Sequence, residues 1–407
     1  MTAARRLKIC YVVPAHGLLS TAGPTRNVLN LARALEEWAD VTVAFRRVLD
    51  ERPPQDMRVL EIQPHLPRRA VVDDSAMRGL GLREFTDYLL ELRRFTQQIV
   101  RRFDVILEKS WLLSGYLSAH ALRHGGRGIP VENVVPSARR HETAGLAKRL
   151  RVEIGCQLAG MHLRQAPLII AETEQLRQDI ARHWRVRLER VEVVGLGVDR
   201  TLFRPQDQGK ARDAVGICRE ACVLLYVGAL DETHNLASAI EAVALQDAPG
   251  LALHIVGDGP QRQLYEALAR RGPGRVVFHG RVPHDAVPRY IAAADLCLAP
   301  YDARAFATGS LGYSTMKVPE YLSVGRPVAS APSARMLELL RHGETGFLFE
   351  NSLARWQAFL ADRPSRQRLA EMGALAARSE LHGWDKTARR YLALCERLVA
   401  ARAALGD

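Results

Sequence analysis

The sequence predicts an α/β protein of two doubly wound domains, each built on a parallel sheet with helices on both faces. Three observations carry this expectation. A chain of 407 residues exceeds one ordinary core and suits two domains of about 200 residues each. Apolar runs of strand length, without polar alternation, recur between amphipathic segments of helix length, as expected for strands buried on both faces. At VDRTLFRPQDQGKARDAVG, residues 198–216, turn residues and charge replace the apolar runs and mark a boundary.

The first half opens with KICYVVPAHG from Lys8, a loop containing Gly23 and Pro24, an amphipathic helix TRNVLNLARALEEW and a strand VTVAF. Strand, loop, helix, strand is the start of a parallel sheet with right-handed crossovers. Further strands are predicted in FDVILEKS, IPVENVV, PLIIAET and VEVVGLG, whereas residues 48–80 read as strand and loop without a clear period. The second half alternates more regularly. Its strands are ACVLLYVGAL, LALHIVGDGP, RVVFHGRV, DLCLAPY, RPVASA and GFLFE, with helices between them and helices to the end.

Composition narrows the class. With 47% hydrophobic and 25% charged residues and no low-complexity tract, the chain is a folded protein, not a disordered one. Its six cysteines are scattered, without the paired spacing of a zinc site, and read as reduced thiols of a cytosolic protein. The N-terminal residues are too polar for a signal peptide, and no run of 18 apolar residues occurs, so the expected location is the cytoplasm. A formal charge of +12 favours an anionic partner: a nucleotide diphosphate, an anionic membrane or nucleic acid.

In open α/β sheets ligands bind beyond the carboxyl ends of the strands, where loops enter helices. The segment ATGSLGYSTMKVPEYLSVGRPVAS has that character. Gly309 and Gly312 permit tight turns, Ser314 and Thr315 suit helix caps, and Pro319 belongs in a first helical turn. The free N–H groups of that helix, with Lys317 beside them, suit a diphosphate. Glu320 in the first turn serves equally as a partner of the helix dipole or as a bidentate acceptor for two ribose hydroxyls.

The run KVPEYLSVGRPVAS, residues 317–330, resembles the retaining glycosyltransferases of family 4. VGLGVDRTLFRP, LLYVGAL, HNLASAIEA, HIVGDGP, VVFHGRV and AADLCLAPY agree with that family in order, so the likeness covers most of residues 190–350. It implies the GT-B fold, two Rossmann-like doubly wound domains facing a central cleft. The expected division is residues 1–200 for the acceptor, 201–385 for the nucleotide sugar, and a C-terminal helix, 386–407, packing back on the first domain. The implied reaction is metal-independent, retaining transfer of a hexosyl-like group from a nucleotide-diphosphate sugar, with no cofactor. Glu320 corresponds to the second Glu of the family's two-Glu motif, which holds the ribose. Arg281 and Val282 correspond to residues beside the base, and Gly23 to the glycine loop near the donor phosphates. Gly228, Ser314 and Thr315 join them on the donor side.

The sequence also departs from the family. The first Glu of the motif falls at Gly312, and the phosphate-binding Arg and Lys fall at Ala229 and His234. Lys317 and His234 are therefore the candidate catalytic cations, supporting a leaving diphosphate. On the acceptor side His16, Glu108, Lys109, Glu132 and His141 lie near predicted strand ends, with Glu132 and His141 ranked first and a solvated loop charge the alternative for each. The basic, Leu-containing stretch of residues 138–165 suits either a solvated helix face or peripheral contact with the anionic inner face of a membrane. Other classes compare less well. VGDGPQR lacks the third glycine of a dinucleotide fingerprint, which weakens an NAD-dependent oxidoreductase. A GT-B sugar-nucleotide epimerase would bind the same donor without an acceptor. No aromatic platform accompanies the arginines, so no specific nucleic acid is expected.

Overall fold

The computed structural model describes residues 5–19, 23–50, 54–66, 81–124, 128–134, 146–302, 315–379, 381 and 383–404. The chain forms two compact units, one of Met1–Gly197 with Trp384–Asp407 and one of Val198–Leu311 with Thr315–Gly383.

The first unit runs β1 (Lys8–Val13), α1 (Gly23–Leu35), β2 (Asp40–Phe45), β3 (Arg58–Glu61), α2 (Leu82–Val100), β4 (Val105–Lys109), α3 (Tyr116–Arg123), β5 (Ile129–Val134), α4 (Leu146–Leu163), β6 (Leu168–Ala171), α5 (Glu174–Trp184) and β7 (Val191–Val193). Its described strands form one parallel sheet in the order β3-β2-β1-β4-β5-β6-β7. Alternate residues of β1 enter opposite layers, as strand geometry requires. Ile9, Tyr11 and Val13 pack with Val28 and Leu35, whereas Cys10 and Val12 pack with Tyr88, Leu92 and Trp111.

The last helix, Trp384–Ala404, belongs to this unit. Its Trp384, Ala388, Tyr391 and Leu394 join the core under α1. Gly197 makes that approach feasible: a Cβ there would lie 2.6 Å from the Trp384 backbone.

The second unit runs α6 (Gln208–Val215), β8 (Cys222–Val227), α7 (Ala237–Ala244), β9 (Leu251–Val256), α8 (Arg262–Ala269), β10 (Arg275–Gly280), α9 (Val287–Ala293), β11 (Leu296–Ala299), α10 (Lys317–Ser323), β12 (Val328–Ser330), α11 (Ala334–Leu339), β13 (Gly346–Leu348), α12 (Leu353–Ala361) and α13 (Arg366–Ala377). Its sheet is parallel, in the order β10-β9-β8-β11-β12-β13. The chain reverses direction across each sheet at one place, between β1 and β4 and between β8 and β11. Such a switch point opens a crevice at the carboxyl ends of the two strands.

At the opposite, amino-terminal end of β8 and β11 lies a buried ion pair. Arg212 donates from Nη2 to Asp295 Oδ2 at 2.7 Å, from Nε to the Ala293 carbonyl and from Nη1 to the Ala221 carbonyl, both at 2.9 Å. Asp295 also accepts from the Val223 amide at 2.7 Å and from Gln208 at 3.1 Å. Both side chains are almost fully enclosed, at 1% and 4% exposure, so every charge that burial would penalise has a partner. Asp295→Ala, which strands the Arg212 guanidinium, is expected to cost about 3–5 kcal/mol in urea denaturation. A double change to apolar residues at both positions should recover most of that loss.

Candidate functional site

The carboxyl end of β8 reads Tyr226, Val227, Gly228. Gly228 has φ +149° and Gly257, after β9, has φ +137°. A Cβ on Gly257 would meet the Gly228 carbonyl oxygen at 1.9 Å, and one on Gly228 would meet Lys317 Nζ at 2.6 Å. Gly257 requires glycine for close approach to backbone as well as for its angle, and Gly228 requires it for its angle, since the Lys317 end it would meet is flexible.

The turn that follows is organised by one carboxylate. Asp231 Oδ1 accepts from the Thr233 amide at 2.9 Å, the Thr233 hydroxyl at 2.5 Å and the His234 amide at 3.1 Å. It also pairs with His234 Nδ1 at 2.8 Å. Burial works to raise this carboxyl, but the hydrogen bond and charge of His234 and the bond from Thr233 outweigh it and hold Asp231 well below the usual carboxylate range.

The short helix α10 is tied to β8 through Tyr321, whose hydroxyl accepts from the Val227 amide at 2.8 Å. Lys317 stands four residues earlier and so shares its helix face. Its Nζ donates to the Tyr226 hydroxyl at 3.0 Å and lies 4.2 Å above the Tyr226 ring and 5.4 Å from the Tyr301 ring. Burial pulls Lys317 down to about 7, while Asp231 and Glu320 oppose the shift. Here the ammonium is poised to gain or lose a proton near neutrality, and an arriving anion would favour its charged form. Tyr301 is driven upward by burial against the pull of its 2.5 Å hydrogen bond with Thr315.

The structure thus brings Gly228, His234, Thr315, Lys317 and Glu320 to the β8/β11 switch point. One sequence expectation changes in detail. Thr315 does not cap α10: the helix starts at Lys317 after Met316, which makes no side-chain cap bond, and the Thr315 hydroxyl is engaged with Tyr301. His234 lies in the turn before α7, which begins at Ala237. Arg281 and Val282 follow Gly280 at the end of β10, two strands from β8; Arg281 is exposed. The Gly280 carbonyl accepts from the Gly257 amide at 2.7 Å, which links that turn to the glycine approach at β8. Ser314 lies outside the described residues.

In the first unit Gly23 opens α1. Glu132 sits on β5 opposite Glu108 and Ile169, though its side chain, like all of His141, lies outside the described residues. Glu108 is not a loop charge: it is fully enclosed, accepting from the Trp111 indole at 2.8 Å and from the Leu117 amide at the start of α3 at 3.2 Å. Lys109 is likewise buried, its ammonium disfavoured by desolvation and supported by Glu172. His16 follows β1, and its carbonyl accepts from the Arg46 amide at 3.0 Å. None of the six cysteines is in a disulfide.

Sequence reasoning missed Tyr226, Tyr301 and Asp231. The two tyrosines had a readable signal, since each stands where an apolar strand run meets the switch point. Asp231 had a weaker one, an Asp whose side chain can turn back to amides two and three residues on.

Comparison with known proteins adds a second line. The family model described as Glycosyltransferase Family 4 matches residues 21–202, and that described as Glycosyl transferases group 1 matches residues 221–362. D-inositol 3-phosphate glycosyltransferase of Streptomyces scabiei is 26% identical over 407 aligned residues, covering 92% of this chain and 86% of that protein. The namesake from a Nocardioides species is 28% identical over 74% of this chain and 69% of its own length. Among solved structures, sucrose-phosphate synthase of Thermosynechococcus elongatus superposes with TM-score 0.75 at 20% identity, covering 97% of this chain and all (100%) of that one. Anabaena HepE, solved with UDP-glucose, superposes with TM-score 0.70 at 18% identity over 97% of this chain and 100% of its own.

Lys317→Met is expected to leave the second unit folded while removing the ammonium above Tyr226. Activity should fall at least about tenfold, the effect of roughly 1.4 kcal/mol on a barrier, with circular dichroism unchanged. A variant of wild-type rate would remove the Lys317 ammonium from the site.

Proposed function

Since the chain belongs to the family 4 glycosyltransferases of GT-B fold, we propose that it moves a sugar, with retention, from a nucleotide-diphosphate sugar to a hydroxyl acceptor. The observation that carries this reading is the placement of Lys317 Nζ above Tyr226, beside Gly228 and facing Asp231 and Glu320. A cation held among aromatic rings and carboxylates at a switch point, with little water around it, is suited to receive a diphosphate.

In this reading Glu320 accepts hydrogen bonds from the ribose hydroxyls, the turn at Arg281 and Val282 lies along the base, and Gly228 lets the backbone approach the phosphates. The bond from the sugar's anomeric carbon to the diphosphate oxygen breaks as the acceptor oxygen bonds to the same face of that carbon. The acceptor's proton passes to the departing phosphate oxygen. Lys317 and His234 lower the barrier by attracting charge as it builds on the leaving group. Gly23, Ser314 and Thr315 complete the donor side, with Glu132 and His141 assigned to the acceptor. No organic cofactor enters the scheme. The UDP-glucose bound by HepE makes that sugar nucleotide the first donor to try, and the D-inositol 3-phosphate relatives make a phosphorylated polyol the first acceptor.

Among the described residues no helix is long and apolar enough to cross a membrane. A peripheral membrane contact is supported by α4, where Ile154 and Met161, seven residues and thus two turns apart, are 50% and 45% exposed.

The reading is tested by a thermal-shift panel of UDP-, GDP-, ADP- and dTDP-sugars, in which one donor should raise the melting temperature at millimolar concentration. Glu320→Ala is expected to weaken that donor's binding by about 1.5–3 kcal/mol, the range for hydrogen bonds to a charged group, as measured by calorimetry. Unaltered affinity would remove Glu320 from the nucleotide site. A product in which the sugar nucleotide alone has changed would identify an epimerase instead.

A further inference from the structure

The Asp231–His234 pair has a chemical consequence for the donor that the charge of the site alone does not have. Asp231 is held in its ionised form and can only accept, so the hydrogen shared with His234 at 2.8 Å belongs to Nδ1 of the imidazole. In a neutral ring whose Nδ1 bears the hydrogen, Nε2 carries a lone pair and repels a phosphate oxygen. In the charged ring Nε2 also bears a hydrogen and attracts it. The ring stands against the same two tyrosines that flank the Lys317 ammonium, with centroids 6.2 Å from Tyr226 and 5.3 Å from Tyr301.

We infer that Asp231 is a positioning residue that makes donor binding proton-coupled: by fixing the hydrogen on Nδ1, it allows His234 to hold the diphosphate only as the imidazolium. The inference rests on the nucleotide-sugar reading above and adds to it a residue and a linkage. The groups around His234 are consistent with it. Asp231 and Thr233 face it from its own turn, Tyr226 from β8 and Tyr301 from the end of β11, while Lys317 of α10 lies over the same two tyrosine rings with Asp231 and Glu320 acting on its charge. Behind the turn, Tyr265 of α8 donates to the Asp231 carbonyl and Asn235 donates to Asp302, which fixes the backbone on which the pair is mounted.

The sign of the effect follows from the proton balance. While the free ring is charged, binding takes up little. As pH rises the free ring loses its proton, binding must return it, and affinity falls. Lys317 adds a similar uptake, so the two must be separated by variants.

Calorimetry with UDP-glucose, whose diphosphate diester does not itself titrate near neutrality, reads the number of protons bound by comparing buffers of different ionisation enthalpy. Wild-type protein is expected to take up protons at about pH 8, near and above the ordinary histidine range. Asp231→Asn, whose amide accepts or donates at Nδ1 and so admits the other neutral tautomer, should take up measurably fewer and keep more of its affinity at that pH. His234→Gln should show the same drop in uptake, and it preserves the amide bonds to Asp231 that hold the turn. His234→Lys, carrying a permanent charge, should bind with only the pH dependence of Lys317. Wild-type proton uptake in both Asp231→Asn and His234→Gln would overturn the inference while leaving the nucleotide site standing. Unaltered affinity in Glu320→Ala would remove that site instead.

Discussion

The second unit depends on the burial of one charge pair. Arg212 and Asp295 together bind the start of β8, the start of β11, the end of α9 and the helix α6, and all of these contacts are made in an interior that would not tolerate an isolated ion. β8 and β11 are neighbours in the sheet although a long stretch of chain separates them, so their pairing needs a long-range anchor. With their amino ends fixed, the loops leaving their carboxyl ends take opposite directions, which is what creates room for a ligand there.

The charge inventory at that end is small. Lys317 is the cation, Asp231 and Glu320 are its acidic neighbours, and the tyrosine rings displace water from it. Its position is inherited through covalent geometry, since Tyr321 docks on the Val227 backbone and a single helical turn sets Lys317 above Tyr226. The Arg and Lys that the family resemblance implies at the positions of Ala229 and His234 would place charge on the β8 turn. In this chain the ammonium comes from α10, and the turn carries an imidazole whose charge is conditional.

The strands were legible because burial on both faces leaves apolar runs that no helix period explains, and the runs through Leu224 and Leu298 appear as strands β8 and β11. The segment around Lys317 and Glu320 was legible because its turn residues and proline fit few backbone paths. Tyr301 showed only its place at a strand end, since its contacts arise when β8 and β11 become neighbours, a pairing that local sequence does not encode; Asp231 showed only the weak signal of a local turn to Thr233 and His234. Thr315 illustrates the same limit. Its hydroxyl had a local use as a helix cap and a distant one with Tyr301, and the distant partner took it. Glu108 resembled a loop charge for a similar reason: its burial depends on Trp111 and on the first turn of α3 folding back over it.

The hydrogen bond between Tyr301 and Thr315 joins the residue two past β11 to the residue two before α10. Tyr301 also stands against the His234 ring and near the Lys317 ammonium. One uncharged side chain therefore touches both basic groups of the switch point and the approach to the helix that carries one of them, so a change at Tyr301 would be felt at Lys317 and His234 together.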